Sequence, residues 1–160
     1  TTDRIVEVCA IEVDEAFNEI DSFHAFINPQ RKVPWFVTRI HGLNNEFLDD
    51  KPIFSDIGRD LLLFLEGSEL WAHNMSFDAG MLNAEFARNR LPTLEKVDCR
   101  LNCTLQLARS TFPGQKNSLD ALLDRFAIDR SERRLHGAMI DTRLLVKVYQ
   151  NLVSYRTKTS

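Results

Sequence analysis

The chain opens with two apolar segments that a short connection separates. In residues 4–13 hydrophobic side chains fall at both odd and even positions, interrupted by Glu7 and Glu12. That pattern is typical of a strand covered on both faces. Residues 19–28 form a second candidate strand after the five residues 14–18. Together the two segments predict an antiparallel hairpin.

Farther along the chain, the hydrophobic positions change to helical spacing. After Pro52, apolar residues recur at every third or fourth position and predict an amphipathic helix that ends at Gly67. The elements predicted next, in chain order, are a strand at 69–72, a helix at 76–90, a strand at 96–99, a helix at 101–109, a turn at 112–114 and a helix capped by Asn117 or Ser118.

A charged segment at 129–134, predicted to be a solvated loop, precedes the last helix. That helix is predicted from about residue 137 to 153, with Leu145, Val148 and Leu152 as its buried stripe. Residues 155–160 are polar and are expected to form a tail. A hairpin followed by alternating helices and strands predicts one α/β domain over residues 1–154, with a partly antiparallel sheet and helices on both of its faces.

Composition narrows the function classes without choosing among them. The 160 residues are 44% hydrophobic with a formal net charge of -3, which excludes binding of nucleic acid through an overall basic surface. An enzyme that contacts DNA through bound cations is still allowed. The three cysteines follow no disulfide framework, and no apolar run reaches the roughly 18 residues that a membrane span needs. With no signal peptide at its start, the chain is expected in the cytoplasm.

One carboxylate in the last helix falls on the predicted core face. Extending the stripe back by four residues from Leu145 reaches Asp141 instead of another hydrophobic residue. Burying an unpaired carboxylate is costly, so Asp141 should meet a cation, hydrogen-bond donors or a metal ion. An ion pair with Arg100 or Arg125 is the structural alternative, and the sequence pattern leaves both interpretations open.

A histidine and a second carboxylate complete the candidate chemistry. His136 lies five residues before Asp141, which in one helix would point the two side chains apart, so His136 is expected in the loop before the helix. There it could act as a general base or simply be exposed. Asp78 lies in the first turn of another predicted helix, where the helix dipole alone would explain it. Two carboxylates and a histidine also suit divalent cations that promote hydrolysis of a phosphodiester.

Two segments carry a resemblance to a known family. Residues 73–78 (His-Asn-Met-Ser-Phe-Asp) and 136–141 (His-Gly-Ala-Met-Ile-Asp) resemble the second and third motifs of the DnaQ-like, DEDDh class of 3'-5' exonucleases. Residues 40–43, 50–54 and 112–122 are similar to the proofreading members of that class, which serve replicative DNA polymerases. The similarity extends from about residue 3 to residue 152.

The resemblance implies an RNase H-like fold with a mixed central sheet. It also implies hydrolysis of DNA 3' ends to nucleoside monophosphates, with two Mg2+ or Mn2+ ions. By position, Asp78 and Asp141 are the expected metal ligands and His136 the expected base. The positions that are expected to contact the terminal nucleotide are Ile40, His41, Asn74 and Phe77. Without the resemblance, Phe77 would be read as core, Asn74 as a helix cap and His41 as an exposed loop residue.

The chain departs from the family at the first motif. Members of the class carry Asp-x-Glu on their first strand, and this spacing occurs nowhere in the chain, although Thr1-Thr2 could end such a motif. The expectation is that residues upstream supply it. The alternatives are an exoribonuclease of the same fold and a non-catalytic binding module.

Partners are expected from the same resemblance. A polymerase catalytic subunit should bind through a tail outside this chain. Three arginines of the charged segment could contact the DNA backbone, although a solvated loop is the simpler interpretation: Arg130, Arg133 and Arg134.

Overall fold

The computed structural model describes residues 4–31, 43–135 and 137–159. Strands β1 (Glu7–Val13) and β2 (Glu19–Phe26) pair antiparallel, which confirms the predicted hairpin. The Asp14 carboxylate closes the turn, because it accepts hydrogen bonds from the backbone N–H groups of Ala16 and Asn18 at 2.9 Å each.

The other helices and strands of the described residues follow in this order: α1 (Asn45–Leu48), α2 (Phe54–Leu65), β3 (Glu69–Ala72), α3 (Met75–Arg88), β4 (Arg100–Cys103), α4 (Thr104–Thr111), α5 (Leu119–Arg125) and α6 (Ala138–Thr159). Strands β3 and β4 are parallel, with Glu69 opposite Arg100. The strands are therefore of mixed direction, as predicted, although the described residues pair as two separate two-stranded ladders.

Four predicted elements differ from the structure. The strand expected at 96–99 is a 3-10 turn at Glu95–Val97 and the strand itself is β4, so the helix expected at 101–109 begins only at Thr104. Asp98 with φ 64° ends the turn, and the Arg100 N–H then donates to the Ser68 carbonyl oxygen at 2.9 Å, which fixes where pairing with β3 begins.

The other two differences lie near the end of the chain. The charged segment contains a 3-10 turn, Ser131–Leu135, and its Arg130 and Arg133 form ion pairs. Residues 155–159 continue α6 instead of forming a tail. Packing explains this extension, since the ring of Tyr155 lies 4.9 Å from that of Phe112 and Arg156 donates to Thr111 at the end of α4.

Alternate residues of the strands face different helices. Val8 and Ala10 of β1 pack into the core formed with α2 and α3, whereas the Cys9 sulfur between them lies 3.6 Å from the Met139 sulfur of α6. In β3, Trp71 likewise faces α6, and its ring centroid is 4.4 Å from that of Tyr149. Both faces of β1 and β3 are therefore covered, as the sequence predicted for the first strand.

Two hydrophobic clusters hold these layers together. The first joins both strand ladders to α2 and α3, and its fully buried residues include Ile27, Phe54, Leu61, Phe86 and Leu94. The second joins α4, α5 and α6, and its fully buried residues are Ala108, Leu122, Leu123, Val148 and Leu152. The starts of α3 and α6, where the two candidate carboxylates lie, are thus fixed by different clusters.

Candidate active site

The start of α3 is built by a tight turn after β3. Strand β3 ends at Ala72, and Asn74 adopts the left-handed conformation with φ 79° and ψ 60° before α3 begins at Met75. Asn tolerates this conformation better than most residues. The Phe77 N–H donates to the Asn74 carbonyl oxygen at 3.1 Å, and Asp78 follows as the fourth residue of the helix.

His73 braces this turn against the rest of the fold. Its Nε2 lies 2.7 Å from the Asn117 carbonyl oxygen, and its Nδ1 lies 2.8 Å from Oγ1 of Thr104, the first residue of α4. Because a carbonyl only accepts, Nε2 carries the proton and the Thr104 hydroxyl donates to Nδ1. Burial lowers the pKa of His73, which is therefore neutral at physiological pH. Both ring nitrogens are engaged, so this histidine is structural.

Asp78 has unusual electrostatics for a residue of a first helical turn. Its side chain is exposed along the helix, yet the protein packed around the carboxyl desolvates it and raises its pKa to about 6. No ion pair joins Asp78 to a residue in the described ranges. The helix dipole alone would lower this pKa, so the simple dipole interpretation does not account for the residue.

The side chains beside Asp78 are open to solvent. Phe77 is 60% exposed, so its interpretation as a core residue is wrong. Asn74 occupies the N-cap position, but its side chain forms no capping hydrogen bond and instead accepts one from the Ser76 hydroxyl at 3.3 Å. Both side chains are therefore free to contact another molecule.

The start of α6 differs from the sequence prediction. The buried stripe consists of Leu144, Val148 and Leu152, and Leu145 is only half-buried. Four residues before Leu144 lies Ile140, which packs against the same cluster. Asp141 therefore lies beside the core face instead of on it, and its side chain is 41% exposed.

An arginine that the sequence prediction did not choose binds Asp141. The Arg133 Nε donates to Asp141 Oδ1 at 2.9 Å, and the same guanidinium bonds the Asp120 carboxylate. The two arginines proposed from sequence are engaged elsewhere, since Arg100 lies 3.8 Å from Glu69 and Arg125 donates to the Asn117 side chain at 2.9 Å. In the sequence, the position of Arg133 in the segment just before α6 could have indicated this contact.

Three candidate residues lie outside the described ranges: Ile40, His41 and His136. Their expected roles therefore stay predictions. The structure places the other four at the starts of two helices, Asn74, Phe77 and Asp78 at α3 and Asp141 at α6.

The donors present match a divalent cation in kind. Asp78 and Asp141 offer carboxylate oxygens, the ligands that Mg2+ and Mn2+ prefer, and the desolvated Asp78 would gain from a cation beside it. Within residues 4–31, 43–135 and 137–159, however, no three His, Cys, Asp or Glu side chains are grouped so that they could hold a metal ion. The described residues thus supply suitable ligands but not a full set.

An open groove of about 550 Å3 runs beside the start of α3. Residues that line it include Trp71, Met75, Ser76, Asn102, Cys103 and Gln106. The Cys103 sulfur accepts a hydrogen bond from the Met75 N–H at 3.4 Å. Burial raises the pKa of this thiol, but backbone N–H groups at the starts of α3 and α4 outweigh it and lower the pKa overall. The spacing of the three cysteines in the sequence did not indicate a thiol with a lowered pKa.

The chain belongs to the Exonuclease family RNase_T, whose model matches residues 1–149. DNA polymerase III subunit epsilon of Rickettsia conorii is 45% identical over 159 residues, covering 96% of this chain and 67% of the relative. The subunit of the same name from Pasteurella multocida is 38% identical and covers 96% and 60%. The chain thus spans about two thirds of the length of these relatives.

Solved structures agree with this assignment. Exonuclease X in complex with 5' overhanging duplex DNA is 26% identical with a TM-score of 0.62, covering 92% of this chain and 83% of that one. The nuclease domain of 3'hExo, a DEDDh family member bound to rAMP, is 14% identical with a TM-score of 0.74, covering 94% and 81%. The predicted family and its RNase H-like α/β fold are confirmed.

No helix in the described part of the chain is long and apolar enough to cross a membrane.

Proposed function

We propose that this chain is the exonuclease domain of a proofreading subunit and removes nucleotides from DNA 3' ends in the cytoplasm with the help of two Mg2+ or Mn2+ ions. The relatives that carry the name DNA polymerase III subunit epsilon support the replicative role and a polymerase catalytic subunit as partner. Exonuclease X, which was solved with duplex DNA, supports a DNA substrate.

One observation carries the catalytic part of this proposal. Asp78 lies exposed in the first turn of α3 and has no ion-pair partner among the described residues, and the surrounding protein raises the pKa of its carboxyl to about 6. Such a perturbed group at the surface is a candidate for function, because a bound cation would offset the cost of its charge. Asp141 stands at the equivalent fourth position of α6 and supplies the second carboxylate.

The residues divide the work of hydrolysis among them. Asp78 and Asp141 would hold the metal ions, which lower the pKa of a bound water and neutralise charge on the phosphate. His136 would take the proton of the attacking water. The exposed ring of Phe77 would stack on the terminal base, a contact worth about 1 to 3 kcal/mol.

The nucleotide would also meet polar contacts. The Asn74 side chain, which forms no capping hydrogen bond, would bond the terminal nucleotide, and Ile40 and His41 would contact its base and sugar. Hydrogen-bonding to the sugar is one way to distinguish DNA from RNA, since only RNA offers the 2'-hydroxyl.

Two other functions are kept as alternatives. The likeness to a DEDDh nuclease bound to rAMP keeps an exoribonuclease possible. The limited number of metal ligands in the described residues keeps a non-catalytic nucleic-acid-binding module possible.

The deciding experiment incubates the chain with matched single-stranded DNA and RNA oligonucleotides, labelled at the 5' end, in Mg2+ or Mn2+. Stepwise shortening of the DNA that EDTA abolishes is expected. Asp78→Asn is the matched inactive control. Shortening of the RNA alone would favour the exoribonuclease, and binding without shortening of either strand would favour the binding module.

A further inference from the structure

Five charged residues before and within α6 form a continuous chain of ion pairs. Arg130 lies 3.0 Å from Asp124 and 2.9 Å from Asp120, both on α5. Arg133 bonds the same Asp120 and, through Nε, donates to Asp141 Oδ1 at 2.9 Å. This series of ion pairs therefore links the carboxylate at the start of α6 to two carboxylates of α5.

Arg133 has the geometry of a fixed support instead of a mobile surface charge. Its side chain is 30% exposed, and its donors reach carboxylates on two different helices, which restricts its rotamers. Its hydrogen bond lowers the pKa of Asp120. Burial lowers the pKa of Arg133, but the hydrogen bonds that it donates to Asp120 and Asp141 outweigh this effect and raise the pKa overall.

The contact with Asp141 occupies one side of the carboxylate. Arg133 reaches Oδ1, and the described residues place no donor on Oδ2. Three carboxylates and two guanidinium groups leave the cluster with one net negative charge. Asp141 is thus oriented by a hydrogen bond and can still bind a cation through its other oxygen.

We propose that Arg133 is a positioning residue that orients Asp141 for binding a divalent ion, with Asp120 holding the guanidinium in place. The inference rests on the proposed function, in which Asp141 is a metal ligand. Hydrogen-bonding partners of metal ligands fix the orientation of those ligands, and their loss weakens metal binding by about 10- to 100-fold.

The test measures Mn2+ binding to the whole chain by isothermal titration calorimetry, beside its KM for single-stranded DNA. Arg133→Gln is expected to raise the Kd for Mn2+ by about 10- to 100-fold with little change in KM. Arg133→Lys keeps the charge but loses the planar fork, so its Kd should stay close to that of Arg133→Gln. Arg130→Gln, which does not touch Asp141, is the matched control and should change the Kd by less than about threefold.

A second variant, which keeps Arg133, controls for a folding defect. Asp120→Asn leaves Arg133 and Asp141 in place but weakens the anchor, and it should raise the Kd for Mn2+ by less than Arg133→Gln does. Circular dichroism checks that each variant is folded.

The outcomes separate the two proposals. Unchanged or tighter Mn2+ binding by Arg133→Gln would overturn the positioning role, since tighter binding would mean that Arg133 competes with the ion. A raised KM for DNA with an unchanged Kd for Mn2+ would also overturn it and assign Arg133 to the DNA backbone. Failure of the wild-type chain itself to bind Mn2+ would overturn the metal site and thus the proposed function as well.

Discussion

The segments His73–Asp78 and His136–Asp141 share one plan but differ in their surroundings. In both, a histidine stands five residues before an aspartate, and the aspartate is the fourth residue of a helix. In the first segment the histidine is held by Thr104 and Asn117, and Asp78 has no cation among the described residues. In the second, Asp141 is bound by Arg133.

The difference teaches that equal spacing does not give equal chemistry. The ring of His73 has both nitrogens engaged and a lowered pKa, so it cannot accept a proton from water while this brace is intact. His73 is therefore not the base, and His136 remains the proposed one. Of the two carboxylates, Asp78 is the one that metal binding would relieve, whereas Asp141 already has a positive partner.

The largest expected effect is on hydrolysis and is the same for the two carboxylates. Asp78→Asn and Asp141→Asn should each reduce metal-dependent hydrolysis by at least about 10⁴-fold, or about 5 kcal/mol, because each removes a charged ligand. Single-turnover kinetics on labelled DNA would measure this. If either variant kept more than a tenth of the activity, that aspartate would not be a ligand.

The next effect separates the two histidines through activity. His136→Ala should lower kcat by about 10³-fold and leave Mn2+ binding unchanged, because it removes the base but no metal ligand. Parallel measurements of kcat and of Kd for Mn2+ would test this. Unchanged turnover would exclude His136 from the mechanism.

The third effect separates the same histidines through stability. His73→Ala leaves the buried Thr104 hydroxyl and the Asn117 carbonyl oxygen without partners and should lower the free energy of unfolding by about 2 to 3 kcal/mol. Urea denaturation would measure it. His24→Ala is the control, since His24 is exposed and its pair with Glu7 should contribute less than about 1 kcal/mol. Equal losses in the two variants would contradict the brace.

A smaller effect is expected on stability in metal-free protein, where substitution of Asp78 and of Asp141 should change the free energy of unfolding in opposite directions. At pH 8, Asp78→Asn should raise the free energy of unfolding by less than about 1 kcal/mol, because it removes a desolvated charge at an exposed site. Asp141→Asn should lower it by up to about 1 kcal/mol, because Arg133 loses a charged partner. Denaturation in EDTA would compare them, and changes of the same sign would contradict the contrast.

The smallest effect is a difference in pH dependence. The raised pKa of Asp78 makes metal-free protein lose stability as pH rises from about 4 to about 6, since the native state holds the proton longer. The lowered pKa of His73 acts oppositely, and its contribution is lost as pH falls below about 6.5. Asp78→Asn should therefore lose more stability than wild type on acidification from pH 7 to pH 5. Parallel melting curves would sharpen the comparison.

Local sequence predicted the elements whose signals are local. Alternation and turn residues predicted the hairpin, and Ser118 indeed caps α5 by accepting from the Ala121 N–H at 3.1 Å. The strand at 100–103 was misplaced because its start depends on pairing with β3, which is far away in sequence. The extension of α6 was missed because contacts with Phe112 and Thr111, not propensity, stabilise its end.

The candidate site was predictable as a set of residues but not as a set of contacts. The family motifs pointed to Asp78 and Asp141 without showing which of them is paired. A one-residue error in the phase of α6, Leu145 for Leu144, placed Asp141 on the core face. The brace at His73 could not be predicted, because Thr104 and Asn117 lie 31 and 44 residues away.

The left-handed backbone at Asn74 limits which residues can serve at this position. With φ 79°, most side chains would be strained, so the backbone admits chiefly Gly, Asn and Asp. The contact with the terminal nucleotide that is proposed above would disfavour Asp, whose charge the phosphate would repel, and Gly, which has no polar side chain. The backbone conformation and the proposed contact thus favour the same amino acid. A library randomised at codon 74 and selected for activity should return almost only asparagine.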